Sequence, residues 1–574
     1  MALRWGFLAL LVALYFIGSS LTAHQAPIGV LALLMGLVFV TLVVAMYLRL
    51  LPALLALPIL AIALAAIAGM AWPDILSVVV QDGSARLAKW IIAAIFGAIL
   101  AQVVEKTGIA QTAIKKTAEL GGDNPLLLGA LLTLVIALLF TTLGGLGAVI
   151  MVATIVIPIL LSLGLRPLFV SCLFLLAMSL GGSFNLVNWQ FYQSELGLTT
   201  AQITAFAWPF AGFMLLTTLA FLVIESKRMG KARFRAVVTE DSAQVPATFV
   251  PWYALLTPIV PLVPVLIFAL LPRFTTKAPE VSAALIGQFP PHSILARQTT
   301  IHVIRLAADG TPANVPKVTL RSGEQHTLAP GHYRASIQPT MPIPIPALAQ
   351  RLETSFTATP WTRTTLEAAY QPTTGDLQLT AIPTPTNYDF PITVALLIGI
   401  LYGALTTWRR GQSTVQLLTK ASFDGVSAVG PALVLMVGIG MVLNATMSPQ
   451  VSTVISPLLK TIVPQNTTAG AAIGYVILFT LLAPLALYRG PLNLYGMGAG
   501  LIGALSGLMP AGAIMGAFMS VGMIQGVCDP TNTHNVWLAN YTNTDVQELL
   551  KRTLPYMWLL ALVGLALSAG LYFK

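Results

Sequence analysis

Charge is scarce in this chain: Lys, Arg, Asp and Glu make up 9% of its 574 residues. A soluble domain of that length needs a polar surface this composition cannot supply, so a water-soluble globular protein is excluded. Cysteine is rarer still. Cys172 and Cys528 both fall in apolar stretches, where small core residues are expected rather than a disulfide framework or a thiolate metal site. No Gly-rich loop ending in Lys-Ser or Lys-Thr occurs, which argues against ATP-driven transport by this chain. No Gly-x-Ser-x-Gly turn marks a nucleophile, so an enzyme is not expected, and neither are a cofactor or a bound metal. Period-two alternation is absent from the apolar runs, which excludes a transmembrane β-barrel.

What the chain does have is apolar length. It is 56% hydrophobic, with a mean hydropathy of +0.84. Candidate spans fall at about 5–23, 26–47, 51–71, 88–105, 125–140, 146–164, 168–188, 203–224, 250–272, 391–408, 426–446, 468–487, 494–509, 511–528 and 554–572. The first run lacks a clear small-residue cleavage site and reads as a span rather than a removable signal. The expected fold class is therefore an all-α polytopic membrane protein whose first partner is the lipid bilayer.

The net charge of +10 does not call for a nucleic-acid partner, because the basic residues gather in short loops beside spans. Arg4, Arg49, Lys106, Lys115, Lys116, Arg166, the Lys227–Arg235 cluster, Arg409, Arg410, Lys551 and Arg552 all fall on one side if each span crosses once. The positive-inside rule then puts the N-terminus inside and Lys574 outside a cytoplasmic (inner) membrane. Between 274 and 390 the chain turns polar and rich in Thr and Pro, with short alternating runs such as "TTIHVIRLAADG" and "HTLAPGHYRASIQP". This is expected to be a small β-rich insert on the outer side.

Two stretches share an order of features: Trp90 to Trp189, and Gly430 to Trp537. Each has a Gly-containing span, an amphipathic connector, a span ending in a polar Gly-rich interruption, a span reaching a proline, and a last span broken near paired asparagines. The breaks read "SLGGSFNLVNW" and "CDPTNTHNVW", each with Asn-x-x-Asn shortly before Trp. By charge, the first unit starts outside and the second inside. Inverted repeats of this kind build secondary transporters, with the site at the midplane between broken helices. The organisation expected is 1–87 N-terminal scaffold helices, 88–225 first transport repeat, 226–273 basic cytoplasmic loop and span, 274–390 insert, and 391–573 second transport repeat with its leading span.

A backbone break in hydrocarbon is costly unless its freed N–H and C=O groups meet protein, ions or water. Four such interruptions sit at matched places: Thr141–Gly145, Gly181–Asn188, Tyr488–Asn493 and Asp529–Asn535. "FTTLGGLGAVIMVATIVIPI" followed by "LAMSLGGSFNLVN", with "DPTN" at 529–532, resembles the hairpin tip and broken helices of the ion transporter superfamily, and within it the divalent anion/sodium symporters and the citrate and gluconate permeases. That resemblance covers about 90–225 and 426–573. It implies re-entrant hairpins at about 125–164 and 468–509, a discontinuous helix after each, a homodimer, and elevator-like alternating access. Neither tip carries the symporters' Ser-Asn-Thr, which leaves the coupling ion and the substrate open.

The site expected from these residues joins both tips and both breaks. Thr141, Thr142, Gly144, Ser183, Asn185, Asn493, Thr531 and Asn532 would offer neutral contacts to a substrate. Arg489, the charged residue of the second tip, would neutralise a carboxylate through its planar fork. Asp529, with Asn188 and Asn535, would couple an ion, either H+ or Na+. His534 reads as structural, and Glu105 beside Lys106 as a solvated pair. The expected function is a symporter of a small organic anion, a di- or other carboxylate. An ion antiporter or inorganic-anion exporter on the same scaffold is the alternative, and a membrane enzyme or receptor working through the insert is a third reading.

Overall fold

A computed structural model of the chain describes residues 27–47, 50–122, 124–229, 250–270, 278–286, 300–307, 311–313, 316–320, 324–338, 353–359, 362–371, 376–385, 389–408, 413–463, 469–490, 492–494, 498–506 and 508–573. It divides into two units: residues up to Val265 together with those from Pro391 on, and Leu266–Phe390.

The larger unit is helical. Among the described residues eight helices are long and apolar enough to cross a membrane, or nine if one bent pair counts as a single span. The chain is an integral membrane protein. Helices α1 (Ile28–Tyr47) and α2 (Ala53–Ile67) lead to a helical segment, Trp72–Asp74 through Gly83–Arg86, with a π-helical stretch between. Then come α3 (Ala88–Lys106), α4 (Ile109–Gly121), α5 (Pro125–Phe140), α6 (Gly145–Ser162), α7 (Pro167–Gly182), α8 (Leu186–Leu196), α9 (Thr200–Met229) and α10 (Leu262–Leu270). After the insert follow α11 (Ile392–Thr406), α12 (Thr414–Met447), α13 (Pro449–Ile462), α14 (Ala469–Leu482), a 3-10 turn (Ala483–Arg489), α15 (Gly498–Leu505), α16 (Ala511–Cys528), α17 (Thr533–Tyr541) and α18 (Val546–Tyr572).

The order from α3 to α9 recurs from α12 to α18. The connectors α4 and α13 are both amphipathic: α4 buries Ile109, Ala110 and Ile114 and leaves Lys115 and Lys116 exposed. The leading helices of the two stretches cross closely. A Cβ on Gly425 of α12 would lie 2.9 Å from the backbone N of Ile99 in α3, so the contact depends on glycine. Lys106 at the end of α3 pairs with Asp424 of α12, and Glu105 accepts from Gln102 Nε2 at 2.9 Å. The sequence expectation of a solvated Glu105–Lys106 pair is thus corrected: the lysine is drawn off by a carboxylate 318 residues away.

Two expected spans are also reshaped. The 250–272 run is a 3-10 turn at Trp252–Leu256 and then the nine-residue α10, because Pro258, Pro261 and Pro264 interrupt any continuous helix. Among the described residues, the 494–509 run contains the eight-residue α15 and no longer helix.

The smaller unit holds two four-stranded sheets, ordered β4-β1-β7-β8 and β3-β2-β5-β6. Its strands are β1 (Glu280–Ile286), β2 (Thr300–Arg305), β3 (Val318–Leu320), β4 (Gln325–Thr327), β5 (Gly331–Gln338), β6 (Glu353–Ala358), β7 (Thr362–Gln371) and β8 (Asp376–Pro385). Alternate residues such as Ile301 and Val303, or Tyr333, Ala335 and Ile337, enter one shared core with Val281 and Leu366 of the other sheet. The "LAPGHYRASI" turn is pinned by the Tyr333 hydroxyl, which donates to the Ala329 carbonyl at 2.8 Å.

Candidate functional site

The first tip lies between α5 and α6. Thr141 ends α5 and Gly144 precedes α6 with no side-chain cap. Gly145 takes φ +84°, a left-handed value that favours glycine. A Cβ at Gly144, Gly145 or Gly147 would meet nothing within 4 Å. The start of α6 therefore has room beside its glycines, and its first N–H groups have no side-chain cap.

The first break, between α7 and α8, bends the pair by 46°. Asn185 holds it in two ways. Its Oδ1 accepts from the N–H groups of Val187 (3.1 Å) and Asn188 (3.3 Å), capping α8. Its Nδ2 donates to the carbonyls of Phe140 (3.3 Å) and Leu143 (3.4 Å), at the tip. The Leu186 N–H adds a bond to the Thr141 carbonyl, and Trp189 Nε1 donates to the Ser183 carbonyl at 3.0 Å. Tip and break are one bonded body.

The second break is built otherwise. Asp529, fully buried, accepts from the N–H and the hydroxyl of Thr531 at 2.8 and 2.7 Å, closing a turn. The carbonyls freed at the end of α16 are taken by side chains from just beyond the break. Asn532 Nδ2 reaches Gln525 O at 3.5 Å, His534 Nε2 meets Gly526 O at 3.2 Å, and Asn535 Nδ2 donates to Val527 O and Asp529 O at 3.3 and 2.9 Å. A carbonyl can only accept, so His534 carries its proton on Nε2. In the second tip, Tyr488 takes φ +54°, and Asn493 is buried with its N–H on the Gly490 carbonyl. The backbone of Arg489 ends the 3-10 turn; its side chain lies outside the described residues.

A cavity of about 370 Å³ lies where these elements meet. Of the residues expected at the site, Thr142, Gly144, Asn185 and Asn188 line it. Thr141, Ser183, Asn493, Asp529, Thr531, Asn532 and Asn535 are not among its lining residues, and the bonds above place most of them in turns and caps. Sequence reasoning missed the rest. Met519, Met523 and Gln525 come from α16, Met178 and Ser179 from α7, and His534 from α17. Helices α3 and α12 contribute mostly small residues: Ala94, Gly97 and Ala98 from α3, and Ala428, Val429 and Ala432 from α12, together with Met436. A signal existed for Gln525, a polar side chain inside an apolar helix. None existed for the alanines.

Among the described residues the lining has no charged side chain. Beside it, the hydroxyls of Thr142 and Ser183 are buried with no hydrogen-bond partner. Each such group carries about 1–3 kcal/mol of unrecovered desolvation, which is seldom kept without use. No group of three or more His, Cys, Asp or Glu able to hold a metal occurs among the described residues.

No protein-family model matches the chain, and no curated protein does. Solved structures similar in outline exist. One of them is MtrF of Neisseria gonorrhoeae, described as illuminating a class of antimetabolite efflux pumps, with a TM-score of 0.46 at 14% identity over 87% of this chain and 84% of that one. A likeness that loose transfers neither fold nor function.

Proposed function

We propose that the protein is a secondary active transporter of a small organic anion, a carboxylate, moved together with H+ or Na+. The observation that carries this reading is the cavity itself. It is lined by the tip and break of the first stretch, by α16 and α17 of the second, and by small residues of α3 and α12. The recurring element order supports two repeats of opposite topology, with re-entrant hairpins at α5–α6 and α14–α15 and a discontinuous helix after each. The smooth alanine and glycine wall suits elevator-like movement of tips and breaks past α3 and α12.

In this reading a carboxylate is held by the first turn of α6 and the Thr142 hydroxyl, since helix starts present N–H groups and positive dipole to anions. Arg489 is placed by its sequence position to add charge from the second tip. Asp529 carries the coupling ion. Cation and anion crossing together reduce the net charge exposed to a low-dielectric barrier, which lowers the desolvation cost of the crossing. The protein works as a homodimer in the inner membrane, with the insert outside.

The test is uptake of labelled carboxylates by the purified chain in liposomes, with Na+ and pH gradients imposed separately and Arg489→Ala run beside the wild type. Accumulation under one gradient, lost in the variant, is expected. Gradients that dissipate through the protein while no carboxylate moves would replace this reading with the ion antiporter.

A further inference from the structure

We infer that the transported anion is an amphipathic monocarboxylate, one carboxylate on an aliphatic or aromatic body. This rests on the transporter reading and narrows its substrate. Most of the cavity's polar residues come from the first tip and from within about two turns of the breaks: Thr142, Asn185, Asn188 and Tyr192 from the first stretch, Gln525 and His534 from the second. The bodies of α7 and α16 give it a different surface, Met178, Met519 and Met523 with Phe518, and Met436 of α12 adds another thioether. Methionine is unbranched and polarizable, and adapts to aliphatic and aromatic shapes alike.

The hydroxyl nearest this surface is already committed. Ser179 Oγ donates to Met523 Sδ at 2.9 Å, so that wall stays apolar toward a ligand. A second carboxylate lying against the thioethers would be desolvated without a partner. An apolar body there gains from every part of its surface it buries. The volume, about 370 Å³, falls in the range of pockets that take a body larger than the carboxylate alone.

Gly522 gives a direct handle. It lines the cavity from α16, and an added Cβ would meet nothing within 4 Å. A leucine there adds apolar volume at the cavity lining from a Cβ that strikes nothing.

The experiment measures uptake of labelled phenylacetate, hexanoate, butyrate, succinate and citrate by the full chain in liposomes under one imposed gradient at neutral pH. Uptake into protein-free liposomes is subtracted, and the rise in Tm caused by each acid is recorded in detergent. Phenylacetate and hexanoate are expected to exceed succinate and citrate by roughly tenfold or more in both readouts, and Gly522→Leu to lower phenylacetate uptake by roughly tenfold while butyrate stays within about threefold. Should the variant not fold, the wild-type ranking decides alone. Succinate or citrate moving faster than either monocarboxylate overturns this inference and leaves the anion transporter standing. No acid moving and none raising Tm overturns both.

Discussion

The two broken helices face one problem and solve it in opposite ways. At the first, Asn185 spends one end of its amide on the cap of α8 and the other on the tip carbonyls of Phe140 and Leu143. At the second, Asn532, His534 and Asn535 fold back on the α16 carbonyls just before them, and Asp529 is closed by Thr531. The geometry follows suit: the first pair bends by 46°, while Ala511–Tyr541 passes as one span. The first break is stitched to another hairpin, and the second is stitched to itself. In the proposed transporter, a break bonded to its tip would move with that tip. A self-contained break can hold a buried carboxylate at a fixed place.

The comparison is open to attack at its strongest point first. Asn185→Ala removes a cap and both tip bonds, and is expected to cost about 3 kcal/mol of stability and to lower uptake by roughly tenfold or more in the protein that folds. Thermal unfolding in detergent and liposome uptake measure the two. A variant with wild-type uptake would show that tip and break need not move as one.

Asn535→Ala removes the donor to two carbonyls and is expected to cost about 2 kcal/mol, with uptake per folded molecule unchanged. If uptake falls as far as for Asn185→Ala, the two breaks do not differ in role.

Asp529→Asn is the sharper probe, because the amide oxygen can still accept both Thr531 bonds. Stability is expected to change by no more than about 1 kcal/mol. The gradient should cease to drive accumulation while substrate exchange across the membrane continues. Concentrative uptake that persists would move the coupling ion elsewhere.

The tips are probed through backbone strain. Gly145→Ala places a Cβ at φ +84° and is expected to destabilise by about 1–2 kcal/mol, whereas Tyr488→Gly relieves a similar strain and should raise the unfolding temperature slightly.

Much of this organisation was legible in the chain. Sparse charge and long apolar runs required a helical membrane protein, and Gly, Asn and Pro inside such runs marked where helices would stop. Both breaks lie where "GGSFN" and "CDPTN" place them, since local backbone preference acts over a few residues. The asparagines themselves were not legible. Asn-x-x-Asn reads alike in both repeats, yet the carbonyls that the Asn185 side chain reaches lie 45 and 42 residues away, while those reached by Asn532 and Asn535 lie 6 to 8 away. The same limit hid Asp424 as the partner of Lys106, and the methionine and alanine walls of the cavity.

The sequence by itself determined the solvent this protein folds in and the points at which its helices break, because hydrophobic length and backbone stereochemistry are local properties. Only the tertiary structure decided what each break is bonded to and which side chains share the cavity. A hydrogen bond or a lining contact is made between neighbours in space, and spacing along a chain does not name them.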